Sequence, residues 1–207
     1  MATRKVTVVV SRRQVGTYEA RSYPHDSRRD VNFIELYAVP LYDITVSGTD
    51  AAGNAKTAHF QAPRFMPYWN DPKNPDPHYA TKGWVDSGLS RQRTVTVGEY
   101  KSDYAVQNRY SPGKGAVVVS GSFYIHAGPA TVGDVGFGSA GCIEIVGNYD
   151  DFKATIASLS GTSTKSPDAA IQELIKDHNL VVIVESASVP DIKSKLTRTV
   201  PRKELFP

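Results

Sequence analysis

A mainly β chain, built as a β-sandwich with two helices near its C-terminus, is the fold class the sequence predicts. Three observations predict it. Residues 5–10, 33–39, 41–47 and 56–60 are rich in β-branched and aromatic side chains, with alternation such as Tyr42, Ile44 and Val46. After Asn148 the apolar spacing becomes helical, first at Phe152, Ile156 and Leu159, then at Ile171, Leu174 and Ile175. Turn chemistry separates the extended runs, as in Asp50-Ala-Ala-Gly-Asn54 and Ser111-Pro-Gly-Lys-Gly115.

In chain order, residues 1–62 read as a β-meander whose last turn is Asp50–Asn54. Residues 63–80 read as a proline-rich loop. Five prolines between Pro63 and Pro77 remove backbone donors and restrain their neighbours. A loop of that length is either a lid over a groove or a surface excursion pinned by Trp69. In the part spanning 81–186, Thr94–Val97 is a strand candidate and Tyr100–Tyr110 is ambiguous. If 116–126 is extended, Val117, Val119, Phe123 and Ile125 share a core face, and Val118, Ser120, Ser122, Tyr124 and His126 share the other. Asn148 is a good N-cap with Asp150 and Asp151 behind it, and Gly161 closes that helix. Ser166-Pro167 opens the second helix, and Leu180–Val184 is apolar enough to be a central strand. Residues 187–207 are polar, basic and proline-punctuated, the composition of a tail. All 207 residues are read as a single domain.

A hydrophobic content of 40% is enough to bury a core, and the formal net charge of +3 is that of a solvated surface, with no nucleic acid expected as partner. No apolar run approaches the length of a membrane span. The N-terminal residues lack the apolar region and small-residue cleavage site of a secretory signal. The expectation is a protein made in the cytoplasm without a signal peptide. One cysteine excludes an internal disulfide, so Cys142 is interesting for its chemistry.

That cysteine lies in Ser122–Ile145, Ser-Phe-Tyr-Ile-His-Ala-Gly-Pro-Ala-Thr-Val-Gly-Asp-Val-Gly-Phe-Gly-Ser-Ala-Gly-Cys-Ile-Glu-Ile, with His126 sixteen positions upstream. A cysteine attacks as its thiolate, and a nearby histidine draws the thiol pKa into the useful range. The developing oxyanion needs backbone N–H donors, for which Gly141 and Cys142 are placed. A zinc site made of His126, Asp134 and His78 has weak spacing and leaves Cys142 unexplained, so no metal or cofactor is expected. His25, His59, His78 and His178 read as surface or loop residues. Tyr68, Trp69, Tyr79 and Trp84 are either a groove wall or local packing. Arg91, Arg93, Lys101, Arg109 and Lys114 are either a solvated face or a clamp for a substrate carboxylate.

The order His before Cys, with Ser139-Ala-Gly-Cys142-Ile, resembles the catalytic signature of L,D-transpeptidases. The resemblance spans roughly residues 116–160 and implies an L,D-transpeptidase-like β-sandwich. It implies Cys142 as nucleophile, His126 as base, the Ala127 carbonyl as the group orienting His126, Ser139 as a loop-shaping residue and Gly141 as oxyanion donor. Tyr124, Gly138, Glu144 and Trp69 are the expected substrate contacts. Ala127 stands where many members have glycine, and Glu144 where most have arginine. With that acidic residue the motif is more similar to a subset known as type VI secretion effectors. What this implies is L,D-carboxypeptidase activity and D-amino-acid exchange on peptidoglycan stem peptides, in the periplasm of a target cell, with a cognate immunity protein guarding the producer. The alternatives are a housekeeping L,D-transpeptidase forming cross-links and a non-catalytic wall-binding module.

Overall fold

The computed structural model describes residues 3–24, 32–69, 83–85, 93–104, 113–121, 123–136, 138–164, 166–191 and 195–205. The chain is mainly β. Its largest sheet has six strands: β1 (Val6–Arg21), β3 (Phe33–Thr49), β4 (Ala55–Pro63), β7 (Arg93–Val95), β12 (Leu180–Val184) and β13 (Leu196–Pro201). A second sheet contains β8 (Val97–Lys101), β9 (Ala116–Val119), β10 (Phe123–Ala127) and β11 (Ile143–Ile145), in the order β11-β10-β9-β8. A small third sheet joins β2 (Tyr23–Pro24), β5 (Met66–Trp69) and β6 (Gly83–Val85).

The two large sheets share one core. Val6, Val8 and Val10 of β1, Ile44 and Val46 of β3 and Val182 and Val184 of β12 meet Val117, Val119, Ile125, Ile143 and Ile145 of the second sheet. Helix α1 (Tyr149–Ser160) adds Tyr149, Phe152, Ile156 and Leu159, and α2 (Pro167–Lys176) adds Ile171 and Leu174. At ~25 cal/mol per Å² of apolar surface removed from water, this shared core is the main force holding sheet to sheet. Asn148 caps α1 by accepting from the Asp150 and Asp151 N–H groups, and Gly161 ends it at φ +75°. Ser166 caps α2, with Pro167 in the first turn.

Four expectations change. β1, β3 and β4 do pair in succession, as in a meander, but their sheet reaches beyond 1–62: β12 lies parallel to β1, and β13 pairs with the first half of β3. The N-terminal strand is therefore interior to a sheet completed by the C-terminus. Within 187–207, residues 196–201 form an edge strand followed by a short helix α3 (Arg202–Leu205), because Val200 buries against Ile34 and Leu36. Within 63–80, residues 66–69 form β5, while 70–80 lie outside the described residues. Finally, 116–126 is a hairpin turned at Ser120 and Gly121, both with positive φ, and the paired faces come out as the alternation requires.

β3 runs unbroken through Pro40. Its outer neighbours β13 and β4 pair with Phe33–Tyr37 and Leu41–Thr49, so the missing N–H falls in the gap between them. Opposite, β1 is bulged: four residue steps from Val10 to Gln14 face two of β3, and two from Gln14 to Gly16 face one. The extra residues loop outward and the sheet bends there. Beyond the bend Tyr18, Ala20, Val39 and Leu41 form a second small core with Val146.

Candidate functional site

The second sheet places the chemistry. β10 and β11 are parallel, with Ile125 beside Ile143, His126 beside Glu144 and Ala127 beside Ile145. Ile125, Ala127, Ile143 and Ile145 fill the core, so Tyr124, His126, Cys142 and Glu144 lie on the opposite face by alternation. Cys142 enters the strand one residue before Ile143, beside Tyr124 and diagonal to His126. From the strand spacing and rise, the Cys142 and His126 Cα atoms are about 8 Å apart.

His126 is buried, 4% exposed, and its Nδ1 lies 2.9 Å from the Ala127 carbonyl oxygen. A carbonyl only accepts, so this bond puts the proton on Nδ1 and leaves Nε2 with a lone pair. Burial outweighs that bond and pushes the imidazole down to about 4.

The turn before Cys142 is held from within and from below. Ser139 Oγ donates to the Cys142 carbonyl and accepts from the Gly141 N–H at 3.3 Å. Ser139 N–H bonds the Phe65 carbonyl at 3.1 Å. At Gly138 the backbone comes so close that a Cβ would sit 2.4 Å from that same carbonyl oxygen, at φ +78°. Upstream, Gly136 exchanges backbone bonds with Glu19 and Arg21 of β1. The loop carrying the cysteine is thus sutured to the large sheet at several points.

Cys142 is half-buried. Burial pushes its thiol above the ordinary value, a backbone hydrogen bond with Tyr124 pulls the other way, and the Glu144 carboxyl raises it again. Glu144 is itself buried, and burial lifts it to about 8. At neutral pH the site therefore holds a thiol, a neutral imidazole and a protonated carboxyl, with no net charge. This corrects the expectation of a thiol drawn down by its histidine. Behind the loop lies a small cavity of ≈ 10 Å³, lined by Val10, Pro63, Arg64, Gly141, Cys142, Ile143 and Val184. That is about one water's room and too small for a substrate. Arg64, buried over the Tyr42 ring, donates there to the Ser11 and Glu185 carbonyls.

Of the expected substrate contacts, Tyr124 is half-exposed beside the cysteine, and Gly138 is pressed on Phe65. Glu144 is 5% exposed and offers a substrate no surface; its side chain packs instead on Gly128. Trp69 ends β5, where its backbone pairs with Pro24. Gly141 spends its N–H on Ser139, so it is not a free oxyanion donor as it stands.

Tyr104 was not singled out by the sequence. It stacks on Tyr124 with ring centroids 4.2 Å apart and 18° between planes, and burial, with the nearby Cys142 sulfur second, raises its hydroxyl pKa. It falls in the 100–110 stretch, where no periodicity marked it. His59 is a surface residue as expected, and its Nδ1 also bonds Asp43. Lys101 pairs with Glu99 and Lys114 with Asp150, which accounts for both as surface ion pairs.

Ser122, Arg91, Arg109, Tyr79, His25 and His78 lie outside the described residues. Among the described residues no three His, Cys, Asp or Glu side chains group to hold a metal, and Asp134 bonds Thr131 within its own turn. Among the described residues no helix is long and apolar enough to cross a membrane. No family model matches the chain, and no curated protein or solved structure matches it.

Proposed function

We propose that the protein is a cysteine acyltransferase acting on peptidoglycan stem peptides as an L,D-carboxypeptidase and D-amino-acid exchanger. The observation that carries this reading is the strand register that leaves Cys142 diagonal to His126, an imidazole whose Nδ1 is fixed by the Ala127 carbonyl so that Nε2 keeps its lone pair.

Because the site is uncharged at rest, the proton moves during attack. Nε2 of His126 takes the Sγ proton as the S–C bond forms at the carbonyl of the residue before the terminal D-alanine. The imidazolium then gives that proton to the departing amine, and a thioester remains. Water or a free D-amino acid resolves it, with His126 as base again. The Gly141 N–H bond to Ser139, at 3.3 Å, is long for an N–H···O bond and can pass to the oxyanion. The stacked Tyr104 and Tyr124 rings supply an apolar wall near the thiol. The resemblance of the motif to secreted effectors supports a role as a toxin acting in a target cell's periplasm and countered by an immunity protein.

Incubation with purified muropeptides, read by mass, tests this. Conversion of tetrapeptide to tripeptide is expected. New dimers would assign a cross-linking transpeptidase instead, and no change a non-catalytic wall-binding module.

A further inference from the structure

A second polar cluster stands on the large sheet, away from the cysteine. Asp43 of β3 is 6% exposed, an unusual place for a carboxylate unless its partners require it there. His59 Nδ1 lies 2.9 Å from Asp43 Oδ1, the Arg13 guanidinium 2.8 Å from Oδ2, and Thr45 Oγ1 3.3 Å from Oδ2. These donors outweigh burial and hold the carboxyl below its usual range. An ionised carboxylate only accepts, so Nδ1 carries the proton and Nε2 faces the other way, toward solvent. The His59 and Arg13 side chains are 58% and 63% exposed.

Arg13 reaches this place only because of the bulge in β1, whose extra residues re-aim it over Asp43. The cluster opens on a cavity of ≈ 380 Å³ lined by Arg13, Val15, Asp43, His59, Phe60, Gln61 and Val146. Val146 follows Cys142 by four residues, about 13 Å at a strand's rise, so this cavity is not the thiol's own.

We propose that this cavity binds a carboxylate carrying a short apolar group, the chemistry of a C-terminal amino acid. Asp43 is saturated by its own donors, so what the cluster presents to a ligand is the remainder of the Arg13 fork and the far side of the His59 ring. A guanidinium with its plane fixed by one carboxylate still has donors for another, in the paired geometry that suits a carboxylate. Val15, itself 43% exposed, and Val146 give the apolar wall. The inference stands apart from the acyl-transfer reading, since it needs no reaction at Cys142.

The test is NMR titration of the full chain carrying Cys142→Ala, observing the His59 ring signal, which is assigned by its loss in His59→Gln. N-acetylalanine should shift that signal saturably, with Kd in the millimolar range. Arg13→Ala, at an exposed position, should weaken binding at least tenfold while leaving the rest of the spectrum in place. Three results would overturn the proposal: no saturable shift, equal binding of N-acetylalanine amide, or tighter binding of inorganic phosphate than of the carboxylate.

Discussion

Two imidazoles in this molecule are oriented in the same way and left in opposite conditions. His126 and His59 each tie Nδ1 to an oxygen 2.9 Å away, a backbone carbonyl in one case and a carboxylate in the other. His126 is buried on the second sheet, where burial drives it down to about 4. His59 stands open on the large sheet with a compensated carboxylate beneath it. The difference teaches that the tautomer is set by the hydrogen-bond partner, whereas access to a ligand is set by burial. A buried imidazole whose neighbouring carboxyl is itself protonated stays neutral and can act only as a transient base. An exposed one on an ion pair is suited to holding a ligand.

The largest effect expected from that contrast is catalytic. On the acyl-transfer reading, Cys142→Ala removes turnover entirely, and His126→Gln lowers kcat by about 10²–10⁴-fold. His59→Gln leaves kcat within a factor of about two. Measured with a single muropeptide, equal losses at both histidines would break the comparison. Circular dichroism should show all three variants folded.

The next effect is on stability against pH. Glu144 has its folded pKa raised to about 8 from an ordinary 4.5. Between those values the unfolded chain has lost the proton and the folded one keeps it, so stability falls as pH rises, by up to about 1.4 kcal/mol per unit. His126 works in the other sense. It is lowered to about 4 from 6.5, so between those values the unfolded chain takes a proton the folded one refuses, and stability falls as pH drops. Glu144→Gln should therefore be more stable than the parent protein at pH 8, with the gap narrowing toward pH 4.5. Urea denaturation at several pH values measures it; a gap independent of pH would show that Glu144 is not held protonated.

Smaller is the cost of crowding the same strand pair. A Cβ at Gly128 would lie 2.5 Å from Glu144 Cγ and 2.9 Å from the Ile145 carbonyl oxygen. Gly128→Ala should lose about 1–3 kcal/mol and displace Glu144, lowering kcat as well as Tm. Last comes Asp43→Asn. It should lose about 1 kcal/mol near neutral pH, because its charged hydrogen bonds to Arg13 and His59 weaken. Asp43 has a lowered folded pKa, so this contribution is present above the usual carboxylate range and fades as acid protonates it. Turnover at Cys142 should be untouched.

Much of the local structure was legible in the sequence for local reasons. Asn148, Gly161 and Ser166 mark helix ends because capping is satisfied within one turn. The two faces of 116–126 follow from alternation, and this survives the hairpin because paired residues share a face. Other features were hidden because their partners are far away in the chain. Nothing near 196–201 signals a strand; its partner is Phe33–Tyr37. Asp43 and His59 are adjacent only through the β3–β4 pairing, and Arg13 joins them only through a bulge. The pair Tyr104 and Tyr124 required the turn after β8 to fold back.

The sequence by itself determined which side chains could do chemistry, one thiol and an imidazole on an alternating strand before it, together with the elements that carry them. Tertiary structure alone decided their state. Burial is a property of what covers this face of the second sheet, and it turned an expected charged pair into a neutral one and closed Glu144 away from any substrate. Desolvation depends on everything packed around a group, from elements far apart in the chain, and no local pattern of residues encodes that sum.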